Sequence, residues 1–161
     1  MGVIFNQLEG QHRKEETVNS FQIDQEIKIK ASADKVFAHL TGDVSPWWDH
    51  SFSEKPKAIV LEPKVGGRFF EDFGNGNGVI YCTVMHIVKN KKLVLQGAMG
   101  MAGAVFGNIS FDLDEQDGAT VLKLSHHAFG EVTEDHKKNY AGGWQALLGA
   151  RLKGLIETGK V

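Results

Sequence analysis

The segment from Tyr140 to Glu157 constrains this chain more than any other. Tyr140, Trp144, Leu147, Leu148, Leu152, Leu155 and Ile156 recur at three- and four-residue steps, the spacing of one apolar stripe on an α-helix. Nearly everything before it reads as strand. A long amphipathic helix that follows a strand-rich body has only a sheet face on which to bury its stripe. Whether the space between helix and sheet is filled or hollow then decides what the molecule can do.

The strand signal begins at Phe21. Phe21, Ile23, Ile27 and Ile29 fall on one parity and Gln22, Asp24, Glu26, Lys28 and Lys30 on the other, the pattern of a half-buried strand. Ser32 is placed to cap a short helix over residues 33–41, with Asp34 in its first turn and Val36, Phe37 and Leu40 as its apolar stripe. Residues 42–56 are irregular and aromatic. Strands are expected over 58–61, 68–73, 79–88, 93–96, 106–114 and 120–129, with the hairpin turn Gly74-Asn75-Gly76-Asn77-Gly78 between the second and third. On the last strand Lys123 pushes its parity outward, which turns Thr120, Leu122, Leu124 and His126 inward. Thr133, followed by Glu134 and Asp135, caps the final helix. The fold class is α+β: a sheet of about six to seven antiparallel strands and one long closing helix. Residues 1–19 are polar and weakly periodic and read as a leader outside the core, and 20–161 as a single domain.

A chain of 161 residues suffices for one well-filled core. Its formal charge of −2, from 18 basic and 20 acidic residues, gives no electrostatic reason to expect nucleic acid or an anionic membrane as partner. A single cysteine, Cys82, excludes an internal disulfide, and the start shows no secretion signal, so a cytoplasmic location is expected. No apolar run is long enough for a membrane helix. Cys82 and His86 share one side of a strand but lack the partners of a zinc site, and His126 and His127 point opposite ways. Phosphate-binding loops, dinucleotide fingerprints and nucleophile elbows are missing too, so no metal or cofactor is expected.

Five segments in order carry a family resemblance. They are Ala31-Ser32-Ala33-Asp34-Lys35-Val36-Phe37-Ala38-His39-Leu40-Thr41, Trp47-Trp48, Gly66-Gly67-Arg68-Phe69, Leu122-Lys123-Leu124-Ser125-His126-His127-Ala128-Phe129, and Gly143-Trp144-Gln145-Ala146-Leu147-Leu148 with Leu152 and Leu155. Together they resemble the SRPBCC superfamily, also called START-like or Bet v 1-like, and within it the branch named for the activator of Hsp90 ATPase. The resemblance spans Phe21 to about Gly159. It implies the helix-grip fold, a curved antiparallel sheet around a C-terminal helix with a cavity between them.

A strongly curved sheet cannot touch a straight helix across its full width, so large side chains or a pocket must occupy the gap. Trp47, Trp48, His50 and Phe52 either rim the mouth of that pocket or plug one end of the core. Glu71 shares parity with Phe69 and Phe73. If those rings face the cavity so does a carboxylate, whose pKa burial would raise; otherwise a bulge turns it to solvent. The family resemblance gives Glu71 no catalytic support, since an apolar residue is usual there. Tyr81 and Thr83 on the long strand, His126, and Tyr140 and Trp144 one turn apart on the helix are further inward candidates, with Leu148 beneath them. Met99 and Met101 form a hairpin tip suited to a pocket entrance or to a mobile loop.

Three functions follow. The expected one is binding of a small hydrophobic or amphipathic molecule. An enzyme of the polyketide cyclase, dehydratase or hydrolase kind would need Glu71, His126 or Tyr140 in the cavity as acid or base. A co-chaperone-like contact with an Hsp90-type ATPase follows from the branch's name alone. A homodimer is compatible with each.

Overall fold

The computed structural model describes residues 19–161. The leader assigned to residues 1–19 therefore lies outside the described residues, except for Asn19, which opens the first strand. In chain order the elements are β1 (Asn19–Ile29), α1 (Ala33–Leu40), β2 (Gly42–Asp43), β3 (Ala58–Leu61), β4 (Arg68–Gly74), β5 (Asn77–Val88), β6 (Lys92–Gln96), β7 (Val105–Gln116) and β8 (Ala119–Gly130). A C-terminal helix over residues 134–158 ends the fold. The strands form one sheet in the order β1-β8-β7-β6-β5-β4-β3-β2, antiparallel throughout. Among the described residues eight strands replace the expected six to seven because the two-residue β2 pairs with β3 at the far edge.

The connection between the two edge strands forces the sheet to curl. β1 and β2 are opposite edges, yet only α1 and a few flanking residues join them. Eight flat strands would span about 34 Å from edge to edge, whereas that link reaches only about 30 Å. The sheet must therefore fold its edges toward each other, and its concave side receives the helix. The inward parity of β1 is buried as its alternation predicts, as are Thr120, Leu122, Leu124 and His126 of β8. Thr120 donates its hydroxyl to the Ala31 carbonyl at 2.8 Å, which satisfies it inside the core.

Thr133 caps the final helix by accepting from the His136 N–H at 3.1 Å, while His136 Nδ1 accepts from the Thr133 N–H at 3.2 Å. The helix is not α-helical throughout. Between α2 (Glu134–Trp144) and α3 (Lys153–Thr158) lies a π-helical stretch, Gln145–Leu152. The buried residues Trp144, Leu148, Leu152 and Ile156 explain why. Each is four residues beyond the last, and an α-helix overshoots a full turn by about 40° in four residues. An α-helical row of that spacing would wind off the sheet. The wider π turns take back the overshoot and hold the row on the core.

Candidate functional site

A cavity of about 370 Å³ lies between the sheet and the C-terminal helix. Trp48, Tyr81, Met99, Trp144 and Leu147 form its buried floor. Tyr140 and Gly143 form the helix side, and His50, Phe52 and Asn139 stand at the rim, where Phe52 is 58% exposed. Larger clefts exist, such as one of about 820 Å³ beside α1 and one of about 510 Å³ at the β4–β5 hairpin, but charged and turn residues contribute much of their lining.

Each wall residue has an identifiable support. Trp48 packs edge-on against Phe69 (4.9 Å between ring centres), Tyr81 (5.6 Å) and Trp144 (6.0 Å). Its neighbour Trp47 serves another element: its indole N–H donates to the His39 carbonyl at 2.8 Å and ties the irregular segment to α1. The pair thus divides, with Trp47 as a plug and Trp48 as cavity wall. Met99 adopts φ of 53°, a left-handed backbone that costs a non-glycine residue energy. Three contacts hold it there. Its N–H donates to the Tyr81 carbonyl at 3.0 Å, its carbonyl accepts from the Tyr140 hydroxyl at 2.8 Å, and its sulfur accepts from the Cys82 thiol at 3.6 Å.

Glu71 is fully buried, 0% exposed, and does not turn to solvent. Its carboxylate accepts from the Ser51 hydroxyl, from the Phe52 N–H at 3.0 Å and from the Tyr81 hydroxyl at 2.9 Å. The expected upward pKa shift does not result. Burial does push the carboxyl up, but the bonds from Ser51, Phe52 and Tyr81 together outweigh it and leave the group below the usual carboxylate range. Glu71 stands behind the wall, not in it. Burial and the Glu71 carboxylate together raise the Tyr81 hydroxyl well above its ordinary value, so it remains a neutral donor. Burial pushes Tyr140 up to about 12.

His126 also lies behind the wall. Its Nδ1 accepts from the Trp144 indole N–H at 3.0 Å, and Nε2 has no partner among the described residues. Burial, with a smaller contribution from His127, lowers its pKa to about 4.

Of the residues expected to bind a ligand, the cavity brings together Trp48, Phe52, Tyr81, Met99, Tyr140 and Trp144. Trp47, Phe69, Met101, His126 and Leu148 are buried in the surrounding core. Thr83 is placed elsewhere. A bulge lets both Tyr81 and Cys82 of β5 turn inward opposite Phe69 and Phe70, which shifts the alternation and pairs Thr83 with the exposed Arg68 on the outer face. Phe73 falls in a second bulge, between Asp72 and Gly74, and stays half-buried away from the cavity. The site candidates omitted Gly143 and Leu147, which follow Tyr140 at helical spacing and were findable from it. His50, one of the four residues expected either to rim the pocket or to plug the core, stands at the rim. Asn139 and Ser51 carried no signal.

A curled antiparallel sheet closed by one C-terminal helix over an aromatic cavity defines a helix-grip protein. Comparison with known proteins narrows that class. The chain belongs to the Activator of Hsp90 ATPase homolog 1-like family, whose model matches residues 30–157. Among solved structures it is similar to the Aha1 dimer from Colwellia psychrerythraea, at 26% identity over 88% of this chain and 99% of that one, with a TM-score of 0.65. It shares its fold with EF2215 from Enterococcus faecalis, at 21% identity over 88% and 74%, TM-score 0.64. It also shares it with DynU16, a protein of the dynemicin biosynthetic locus, at 20% identity and TM-score 0.64 over 86% of this chain and 48% of that longer one. No curated protein matches. Among the described residues no helix is long and apolar enough to cross a membrane, and no group of three His, Cys, Asp or Glu side chains is arranged to hold a metal.

Proposed function

We propose that this protein binds a small hydrophobic or amphipathic molecule in the cavity between its sheet and C-terminal helix. One observation carries the reading: a space of about 370 Å³ with a buried aromatic floor and an exposed rim. That volume falls in the range of small-molecule sites, where apolar walls supply affinity and a few polar groups set orientation. Met99, strained and unbranched, suits a wall that adapts to its guest.

An acid–base reaction in the same space has less support. Tyr140 reaches the cavity, but its hydroxyl is bonded to Met99 and resists deprotonation. Glu71 and His126 stand outside the wall, and each is bonded to a residue of it. A co-chaperone-like contact rests on the family's name. The Colwellia relative is described as a dimer, and sedimentation of this protein would test the same assembly here.

Titration with neutral naphthalenes, read by quenching of Trp48 and Trp144, tests the binding proposal. Saturable binding at one site is expected. Gly143→Phe should abolish it without unfolding, because a Cβ at Gly143 meets only His50 Nε2, at 3.7 Å, and a ring there would occupy the cavity. Unchanged binding in Gly143→Phe would place the site elsewhere.

A further inference from the structure

We infer that the cavity prefers guests bearing a positive charge, such as an organic ammonium, because the Glu71 carboxylate stands directly behind its aromatic wall with no cation beside it among the described residues. This rests on the binding function proposed above and adds the chemical class of the guest.

The donors to Glu71 are all neutral: a serine hydroxyl, a backbone N–H and a phenol. They stabilise the carboxylate without cancelling its charge. None of the six ion pairs among the described residues includes Glu71. Its hydrogen bonds outweigh its burial and keep it ionised at neutral pH. A full negative charge is therefore fixed in the core, where low polarisability lets its field reach further than in water. A buried, uncompensated carboxylate costs stability, and a cavity next to it gives that cost a use.

Two of the three donors, Phe52 and Tyr81, are themselves wall residues. The rings of Trp48, Tyr140 and Trp144 add three more aromatic faces to the lining. Aromatic faces carry partial negative charge and attract cations. A phenol that donates to a carboxylate becomes more electron-rich at its oxygen and its ring, so Tyr81 relays the charge of Glu71 toward the cavity. Among the described residues no lysine or arginine lines the space. At the rim His50 sits 3.3 Å from Asp49, and Arg151 approaches the same carboxylate at 3.6 Å. An anionic guest would meet a like charge, a neutral guest would gain only buried area, and a cation would gain from both the rings and Glu71.

Glu71 also pins the 51–52 segment to β4, and a purely structural staple would produce no charge preference. Phenyltrimethylammonium and tert-butylbenzene separate the two, since they match in shape and differ in charge; benzenesulfonate is the anionic control. Tryptophan quenching should show the cation binding at least 10-fold more tightly than tert-butylbenzene, and benzenesulfonate more weakly than either. In Glu71→Gln the cation should lose about 10-fold while tert-butylbenzene changes less than 2-fold. Equal binding of cation and hydrocarbon to the wild type would overturn the charge preference and leave the cavity reading standing. Failure of both to bind would overturn the two together. The wild-type comparison decides even if Glu71→Gln does not fold.

Discussion

Acidification should destabilise this protein through His126. His126 is 0% exposed on β8, with the rings of Phe21, Tyr140 and Trp144 at 5.3, 5.5 and 6.1 Å. Nδ1 accepts from Trp144, so the single proton resides on Nε2. A second proton would break that bond and put a cation among apolar groups without an anion. Burial first, and His127 second, lower the pKa from 6.5 to about 4. The sign follows from proton counts. Between those two values the unfolded chain binds a proton that the folded chain does not, so stability falls as the pH falls. The contribution is intact above pH 6.5 and is lost progressively toward pH 4. At 1.36 kcal/mol per pH unit the whole effect is about 3 kcal/mol. Urea unfolding followed by circular dichroism between pH 7.5 and 4.5 measures it. His126→Gln keeps an acceptor for Trp144 and removes the titration, so its stability should vary less than the wild type's by about 2–3 kcal/mol at pH 4.5. Parallel curves for the two proteins would show that His126 is not held neutral, and the reasoning from burial would be wrong.

Four further outcomes are expected. Glu71→Ala leaves the Phe52 N–H and the Tyr81 hydroxyl without their acceptor, while the Ser51 hydroxyl keeps the Ser53 carbonyl, and should cost about 2–3 kcal/mol in urea unfolding; a loss below 1 kcal/mol would mean that water replaces the carboxylate freely. Cys82 is 1% exposed with its thiol pushed up to about 12 by burial, so a disulfide reagent at pH 8 should react with the folded protein only as fast as it unfolds, and rapid stoichiometric labelling would contradict this packing. Gly67→Ala would place a Cβ 2.4 Å from the Glu62 carbonyl oxygen and should destabilise by about 2 kcal/mol. By contrast Gly142→Ala, whose Cβ meets nothing within 4 Å on a helix, should stabilise by about 0.5–1 kcal/mol in the same urea unfolding.

Periodicity made most of the fold legible. The alternation of β1 and the outward Lys123 on β8 each named the buried face, because a residue's side of a strand follows from parity alone. The stripe from Tyr140 to Ile156 likewise announced a helix on a sheet. Parity failed at Thr83 because a bulge is a single residue's departure from a pattern of period two, and it depends on pairing with another strand. The π turn was hidden for a related reason: a row at four-residue spacing suits an α-helix almost as well, and only a long, continuous contact with the core makes the small overshoot matter.

The amino-acid order by itself thus determined the elements, the inward faces and the set of aromatic side chains available for a cavity, since these depend on local pattern. The tertiary structure alone decided what Glu71 and His126 bond to and how they ionise. Burial favours the neutral form of both. It prevails at His126, whose remaining nitrogen finds no partner among the described residues, and is overcome at Glu71 by the Ser51 hydroxyl, the Phe52 amide and the Tyr81 phenol. A carboxylate's charge depends on which donors reach it through space, and two of these three lie about twenty residues away along the chain.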